Sequence, residues 1–368
     1  MKFYCNGMDL SNATNIVSKA LAVNKNIPIL EGIKIYAKGD KVVFSAYNQE
    51  LYIEKEIKAE ILIEGETVVN GKLFNEYANK LAGLDKVEIE KGDNNKISIL
   101  FENSEAEITY YDIENFPSLG EYNENVSIKI KECEFKELIE RVIFCASLND
   151  TRLLLKSCNM EVIDNYIEAV CLDGYRVAIS RKDISNKKGE LKFIMLAKLL
   201  ADISKILNDS EDEITISRVN NMVVIDMGYT RIRTTIVEGE FYNYRNNLPQ
   251  EVGNTIIVNR EELENCLSRV NIISKDLAFN RITITVEDNK LTIFAESEKG
   301  KVNETIICKA DGEKIRIGLN SKYLMDAILR IKEDYLKIEI ERPIKPILVR
   351  KIEGDDYKCV ILPLRLIG

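Results

Sequence analysis

The feature that most constrains the fold of this 368-residue chain is a unit of secondary structure that recurs three times. In its central copy, apolar residues from Phe135 to Val142 have the i, i+3, i+4, i+7 spacing of an amphipathic helix. Three β-rich runs follow between residues 160 and 180, and an Asp173-Gly174 turn joins the last two. The unit is therefore predicted to be one helix followed by an antiparallel meander.

Two helices of this kind recur at a nearly constant spacing. The first helices are expected to start near Asp9, Glu134 and Glu261, and the second helices to centre near Tyr77, Ile203 and Ala327. Both series have a period of about 125 residues, which indicates three repeats, each with two copies of the unit. Three unrelated α+β domains of similar size are the alternative.

The predicted fold class is α+β, because each repeat is long enough to pack its two helices on one face of antiparallel sheets. Breaker residues near Pro117 and Gly120, and again at Leu248-Pro249, are interpreted as linkers. The predicted domains are therefore 1–119, 120–249 and 250–368.

The composition excludes several classes of enzyme. The chain has no histidine, so Ser-His-Asp sites, Cys-His sites and His-ligated zinc are excluded. The eight cysteines form no CxxC pair and lie mostly in apolar runs, so we expect buried thiols, no metal site and a reducing cytoplasm. We find no phosphate-binding motif, no apolar run long enough to span a membrane and no signal peptide. An enzyme of unknown chemistry remains an alternative, but no cluster of titratable groups supports it.

The net charge of −9 argues against a protein that coats nucleic acid with its whole surface. The predicted helices nevertheless carry a small excess of Lys and Arg, while the rest of the chain is acidic. A surface lined by these helices would attract phosphates loosely. A solvated helix face without a function is the alternative.

Several motifs together resemble those of the bacterial sliding clamp family, the β subunits of the replicative DNA polymerase III. The resemblance covers the whole chain and depends on five segments: Ile27-Pro-Ile-Leu30, Asp150-Thr-Arg152, Leu172-Asp-Gly-Tyr-Arg-Val-Ala178, Glu238-Gly-Glu-Phe-Tyr-Asn-Tyr-Arg245 and Val360-Ile-Leu-Pro-Leu-Arg-Leu366. The Asp-Gly-Tyr-Arg hairpin and the Pro-Leu-Arg-Leu ending are specific only in combination, on a threefold repeat of this length.

The resemblance implies a DNA polymerase processivity factor. Two chains would pair head to tail into a ring, with the helices lining the hole through which double-stranded DNA passes without base-specific contact. A clamp loader would place the ring on DNA. The polymerase α subunit, repair polymerases and other clamp-motif proteins would dock a short peptide between the second and third repeats. The resemblance implies no catalysis, no cofactor and no membrane partner.

The resemblance also implies three sets of site residues. The peptide-binding pocket would comprise Arg152, Leu155, Leu172, Gly174, Tyr175, Arg176, Val177, Tyr242, Asn247, Pro346, Val360, Ile361, Leu362, Pro363, Leu364 and Arg365. The DNA-facing residues would be Lys25, Lys80, Lys198, Lys205, Arg269, Lys322 and Lys332. The dimer interface would comprise Glu105, Glu107, Ile108, Ile272, Ile273, Lys299 and Lys301.

Some pocket residues depart from the usual pattern of the family. Leu172 stands where threonine is common, Tyr242 where proline is common and Asn246 where a basic residue is common. A housekeeping clamp, a diverged second copy with altered partners and a scaffold that no longer acts on DNA therefore remain open.

Overall fold

Each of the six α-helices in the described chain follows a strand with at most one residue between them. The computed structural model describes residues 1–23, 27–111, 113–117, 126–249, 251 and 253–366. The helices are α1 Gly7–Val17, α2 Gly71–Ala78, α3 Glu132–Glu140, α4 Ala197–Ser204, α5 Arg260–Ser274 and α6 Ser321–Ile328. All six lie where helical periodicity predicts them, although α1 ends before the predicted boundary and Lys25 lies outside the described residues.

Asparagine marks four of these strand-to-helix junctions. The side-chain oxygen of Asn259 accepts a hydrogen bond from the Glu262 backbone N–H at 3.0 Å, which is the geometry of a helix N-cap. Asn6, Asn70 and Asn320 cap α1, α2 and α6 in the same way. Because the first N–H groups of a helix have no partner within it, each asparagine fixes the residue at which the strand ends and the helix begins.

The strands follow one another in short antiparallel steps. In the first part of the chain they are β1 Lys2–Cys5, β2 Gly32–Lys38, β3 Lys41–Tyr47, β4 Leu51–Lys58, β5 Glu60–Ile63, β6 Gly65–Asn70, β7 Val87–Lys91, β8 Lys96–Phe101 and β9 Ser104–Tyr111. The middle strands are β10 Val126–Lys131, β11 Ser157–Ile163, β12 Tyr166–Leu172, β13 Arg176–Asp183, β14 Asn186–Lys188, β15 Lys192–Leu196, β16 Glu213–Val219, β17 Met222–Asp226 and β18 Thr230–Thr235. The last are β19 Asn254–Asn259, β20 Arg281–Glu287, β21 Lys290–Ser297, β22 Gly300–Asp311, β23 Ile315–Asn320, β24 Tyr335–Ile340, β25 Ile347–Lys351 and β26 Tyr357–Ile361.

The sequence prediction missed the strand that precedes each helix, namely β1, β6, β10, β15, β19 and β23. No turn lies between each of these strands and its helix. The alternating pattern of a strand therefore changes directly to the 3.6-residue pattern of a helix. With them included, and apart from the short strands β5 and β14, each half-repeat is one strand, one helix and three strands. The short strands β5 and β14 were also missed.

The first of two compact units comprises residues 1–132, 185–191 and 210–236. Its strands form a 14-stranded sheet in the order β14-β10-β16-β17-β18-β4-β3-β2-β6-β9-β8-β7-β1-β5. Strand β4 pairs with β18, with Ile53 opposite Ile232, and both residues are fully buried. This pairing joins the first repeat to strands of the central repeat.

The second unit comprises residues 133–184, 192–209 and 237–368. Its 12-stranded sheet has the order β15-β11-β12-β13-β26-β25-β24-β19-β22-β21-β20-β23. Strand β13 pairs with β26, the last of the described strands, so that Val177 lies opposite Val360. The strands of the central repeat are therefore divided between the two units.

The eight cysteines are free thiols, and seven of them are buried. Burial raises the pKa of the Cys5 thiol to about 12 and that of Cys266 to about 11. These thiols are therefore protonated at neutral pH and pack as small apolar side chains. None of the helices in the described ranges is long and apolar enough to cross a membrane.

A network of ion pairs in the second unit is centred on Glu137 of α3. Its carboxylate pairs with Lys182 of β13, with Arg141 at 3.2 Å and with Lys332 at 2.9 Å. Arg141 is buried and also donates to Asp356 at 2.7 Å. Burial alone would raise the pKa of Glu137, but these cations outweigh it and lower the pKa from 4.5 to about 2.

Acid is therefore expected to destabilise the second unit through Glu137. A carboxylate whose pKa is lowered by folding stabilises the fold fully above its unfolded pKa, and this contribution is lost as the pH falls from about 4.5 to about 2. Glu137→Gln should lower the urea midpoint at pH 7, and the difference from the wild type should shrink as the pH approaches 2. Glu298→Gln, at an exposed glutamate of the same unit, is the control. An equal difference at pH 7 and pH 2.5 would contradict this assignment.

Candidate functional site: an apolar cleft beside the β13–β26 pair

The cleft is organised by the tight turn between β12 and β13. Gly174 has a φ of +92°, which residues with a Cβ rarely adopt. The Asp173 carboxylate accepts hydrogen bonds from the backbone N–H groups of Tyr175 and Arg176, at 2.9 and 3.1 Å. The turn holds Tyr175 half-exposed at the cleft, where its carbonyl accepts a hydrogen bond from the Leu362 N–H at 2.9 Å.

Arg176 is a buried arginine, and each of its three guanidinium nitrogens donates a hydrogen bond to a partner within the second unit. Its guanidinium binds Asp173 at 3.0 Å and Asp326 of α6 at 2.7 Å, and it donates to the Phe144 carbonyl at 2.8 Å. Its Cζ also lies 4.2 Å from the centroid of the Tyr323 ring. Arg176 was predicted to be a pocket residue, and it contributes to the lining, but its side chain is only 8% exposed and connects three segments beneath the cleft.

The cleft has a volume of about 720 Å³. It is lined by Arg152, Leu155, Leu172, Gly174, Tyr175, Arg176, Val177, Tyr242, Asn243, Tyr244, Asn246, Leu248, Pro249, Glu251, Glu341, Lys345, Pro346, Val360 and Leu362. A pocket of this size with a mainly apolar lining is typical of a ligand site.

The floor of the cleft belongs to a buried cluster that contains Leu155, Leu172 and Tyr244. The Tyr244 hydroxyl donates to the buried carboxylate of Glu168, which also accepts hydrogen bonds from Arg181 and Arg245 at 2.7 Å each. Burial, followed by the hydrogen bond to Glu168, raises the pKa of Tyr244 well above its usual range. The floor therefore exposes apolar side-chain atoms to the cleft, while the Tyr244 hydroxyl is hydrogen-bonded to Glu168 beneath it.

The rim of the cleft carries charges of both signs. Arg152 is exposed and forms a two-point ion pair with Asp150, at 2.8 and 2.9 Å. This contact lowers the pKa of Asp150 well below its usual range. Glu251, Glu341 and Lys345 lie elsewhere on the rim. Because Asp150 neutralises Arg152, the rim has no strong net charge of either sign.

The structure brings most of the predicted pocket residues together in this cleft. Ile361, Pro363, Leu364 and Arg365 are not part of the lining, since Ile361 is fully buried and the segment after Leu362 turns away toward β23. The side chain of Asn247 lies outside the described part of the chain. The list of predicted residues lacked Asn243, Tyr244, Leu248, Pro249, Glu251, Glu341 and Lys345, and Asn246 was noted only as a departure from the family pattern. The aromatic and asparagine residues before Leu248 offered a signal for Asn243 and Tyr244, but nothing local marks Glu341 or Lys345.

The predicted DNA-facing cations differ in how free they are. Lys80, Lys198 and Lys322 are exposed. Arg269 forms a two-point ion pair with Glu304 at 2.6 Å, Lys205 pairs with Asp202 at 3.0 Å and Lys332 pairs with Glu137. Among the predicted cations that the structure describes, Lys80, Lys198 and Lys322 therefore have the fewest carboxylates competing with a phosphate for them.

The predicted dimer residues lie on two sheet edges, one in each unit. Among the described strands, only β8 pairs with residues 104–109 of β9, and only β21 pairs with residues 300–307 of β22. Ile272 on the adjacent α5 is 61% exposed and Ile273 is partly buried. Ile108, in contrast, is buried within its own unit. Glu107 pairs with Lys96 and Lys299 with Asp276, whereas Glu105 and Lys301 are exposed.

Three domain descriptions of one protein match the chain in succession. The N-terminal domain of the DNA polymerase III beta subunit matches residues 1–120, its central domain residues 129–243 and its C-terminal domain residues 245–365. The chain belongs to the DNA polymerase III beta subunit family. This family is the one that the sequence motifs suggested, and its members are the sliding clamps that serve as DNA polymerase processivity factors.

Individual clamps support the same assignment. A beta sliding clamp from Staphylococcus epidermidis is 25% identical over 364 residues, which cover 96% of each chain. The crystal structure of the sliding clamp from Bacillus subtilis is 25% identical and has a TM-score of 0.94, with both chains covered completely. A beta subunit homologue from Eubacterium rectale is 29% identical and has a TM-score of 0.92, again over the full length of both chains. The three-domain clamp fold of this chain is therefore established.

Proposed function

We propose that this chain is a ring-forming sliding clamp that tethers a DNA polymerase and other proteins to duplex DNA through peptides bound in the cleft. The observation that carries the proposal is the apolar cleft at the β13–β26 pair, with its buried leucine floor and nearly neutral rim. A non-catalytic role fits this lining, which has apolar side chains at its centre and ion-paired or rim charges around them. No cofactor is needed for such a role.

The proposed ligand of the cleft is a short peptide that ends in two apolar residues. Burying each side chain would contribute about 1.5–3 kcal/mol, and ordering the peptide offsets part of this gain. Micromolar affinity is therefore expected. Leu172 makes the floor fully apolar, and Asn246 leaves that part of the rim uncharged, so acidic peptide residues should contribute little. The polymerase α subunit, repair polymerases and the clamp loader are the proposed peptide donors.

The proposed ring forms when β9 of one chain pairs with β22 of another. Unpaired edges such as residues 104–109 and 300–307 promote aggregation unless another strand covers them. Head-to-tail pairing of two such chains closes a ring and leaves neither edge open. Ile272 would pack beside the new strand pair, and Lys301 would face Glu105.

The proposed contact with DNA is electrostatic and independent of sequence. Lys80, Lys198 and Lys322 are scattered on separate elements, so each would meet a phosphate singly. Binding to short linear duplex should therefore be weak and should fall with salt. We further propose repeats at 1–119, 120–249 and 250–368, and a cytoplasmic site of action. A diverged second copy with its own partners is the alternative, favoured by Leu172, Tyr242 and Asn246.

The proposal predicts topological retention on DNA. With a clamp loader and ATP, the protein should remain on nicked circular DNA through gel filtration, and linearising the circle should release it. Ile272→Asp places a charge at the proposed ring contact but at an exposed position of the single chain, so it should yield a folded monomer that is not retained. Sedimentation would measure its oligomeric state. Retention on linear DNA with free ends, or tight sequence-specific binding, would contradict a sliding role.

A further inference from the structure

A second cavity, of about 470 Å³, lies in the last repeat within the second unit. It is lined by Leu277, Ala278, Arg281, Ile282, Thr283, Phe294, Ala295, Glu296 and Leu366. All but one of these residues come from the segment after α5, from β20 and from the end of β21. The exception, Leu366, belongs to the segment that follows β26.

The second cavity is the counterpart of the cleft in the next repeat. The cleft lies between the 3₁₀ turn Leu153–Lys156, which precedes β11, and Leu172 at the end of β12. The second cavity lies between the 3₁₀ turn Ala278–Asn280, which precedes β20, and Glu296 near the end of β21. The repeat of the chain therefore builds the same kind of depression twice, and in the second one a leucine of the chain forms part of the wall.

Gly318, in the interior of β23, allows the segment that carries Leu366 to pass close to the strand. A Cβ at Gly318 would lie 2.6 Å from the Leu364 carbonyl oxygen and 3.3 Å from a methyl carbon of Leu366. The backbone of Gly318 does not require glycine, since its φ lies outside the left-handed range. A glycine inside a strand often marks the close approach of another backbone. Here the Leu364 N–H donates to the Gly318 carbonyl at 2.8 Å, at the edge strand of the sheet.

The segment from Leu362 to Leu366, here called the C-terminal strap, is thus fixed at three points. Leu362 lines the cleft and donates its N–H to the Tyr175 carbonyl at 2.9 Å. Leu364 pairs with Gly318, and Leu366 lies at the second cavity. Because five residues span both cavities, a displacement of Leu366 would loosen the position of Leu362.

We propose that the second cavity is a seat for the chain's own Leu366, and that this seat positions Leu362 for peptide binding in the cleft. Gly318 and Leu366 are then positioning residues for a site that neither of them touches. The inference depends on the proposed peptide-binding function. The strap rather than a partner covers this cavity, because Leu366 already forms part of its wall and Gly318 leaves room for the strap backbone.

Gly318→Ala and Leu366→Ala test the proposal, because both disturb the strap and leave every residue lining the cleft unchanged. The probe is a fluorescein-labelled synthetic peptide that ends in Leu-Phe, and anisotropy measures its affinity for the full-length protein. Each variant should bind it roughly 10-fold more weakly, as expected when part of one leucine contact is lost. Gly83→Ala is the control, since a Cβ at that glycine meets nothing within 4 Å.

The outcomes separate the two proposals. If the wild-type protein does not bind the peptide, the proposed function of the cleft fails. If the wild type binds it and the folded variants Gly318→Ala and Leu366→Ala bind equally well, the role of the seat is overturned. Thermal unfolding shows which variants are folded. If Gly318→Ala does not fold, Leu366→Ala still tests the role of the seat.

A fluorescent reporter tests the occupant itself. The chain contains no tryptophan, so Phe294→Trp places a single one at the second cavity. Its emission should shift to longer wavelength when Leu366→Ala is added, because water then enters the seat. Saturating peptide should leave the emission unchanged in the presence of Leu366. A shift caused by the peptide would mean that the partner takes this cavity, which would overturn the proposal.

Discussion

Replacing Arg176 by alanine is expected to lower the free energy of unfolding by about 3–5 kcal/mol, because it leaves a buried charge network without its cation. The side chain is 8% exposed and neutralises both Asp173 and Asp326. The same carboxylate of Asp173 caps the turn that holds Tyr175, so peptide binding should fall together with stability. Urea unfolding followed by circular dichroism would measure the first effect and fluorescence anisotropy the second.

Arg152 provides a matched control, because it also lines the cleft and also pairs with an aspartate. Its side chain is 63% exposed, and water screens an exposed pair of this kind. Arg152→Ala should therefore leave the urea midpoint within experimental error. Arg176→Lys should recover only part of the stability, since an ammonium cannot reproduce the planar fork. Equal stability of Arg176→Ala and Arg152→Ala would show that the network under the cleft does not support the fold.

Replacing Leu362 by aspartate should weaken binding of a Leu-Phe peptide by about 10- to 100-fold, while the fold stays intact. Leu362 lines the cleft but is 41% exposed in the free protein, so its burial is completed only by a ligand. Loss of one such apolar contact is worth about 1.5–3 kcal/mol, which gives the expected range of affinities. Anisotropy titration with the labelled peptide measures the change.

Ile352 offers the matching position outside the cleft. It is 38% exposed and follows β25 on the same sheet. Ile352→Asp makes the same chemical change at nearly the same exposure, so its unfolding midpoint should match that of Leu362→Asp while its peptide affinity equals that of the wild type. If Leu362→Asp and Ile352→Asp bound the peptide with equal affinity, the peptide site would not be in the cleft.

Helical periodicity and turn chemistry could predict the helices and the meander strands because both leave a local mark on the sequence. The apolar stripe of α5, with Leu263, Leu267 and Val270, is fully buried as its spacing predicts. The strands that run directly into helices could not be found in this way, because β23 meets α6 with no turn between them. Asn320 was the available signal, since an asparagine before a helical stripe marks the point of change.

The residues of the cleft could be predicted only where they match motifs of the sliding clamp family. The apolar positions Leu155, Leu172 and Val360 were assigned in advance, and all three line the cleft. The orientation of Arg176 depends on Asp326, which is 150 positions further along the chain, and no local pattern reveals such a pair. The ion pairs that compete for Arg269 and Lys332 were missed for the same reason, because Glu304 and Glu137 are close to them only in the folded chain.

The pairing of β13 with β26 also has a consequence for how the molecule is made. The strand that carries Val360 is synthesised long after β13, and β13 has no other neighbour on that side in the described sheet. A nascent chain therefore carries an incomplete cleft until β26 has left the ribosome. Partner peptides would then encounter a binding surface only on chains that carry β26, so shorter nascent copies would not compete with assembled clamps for the polymerase.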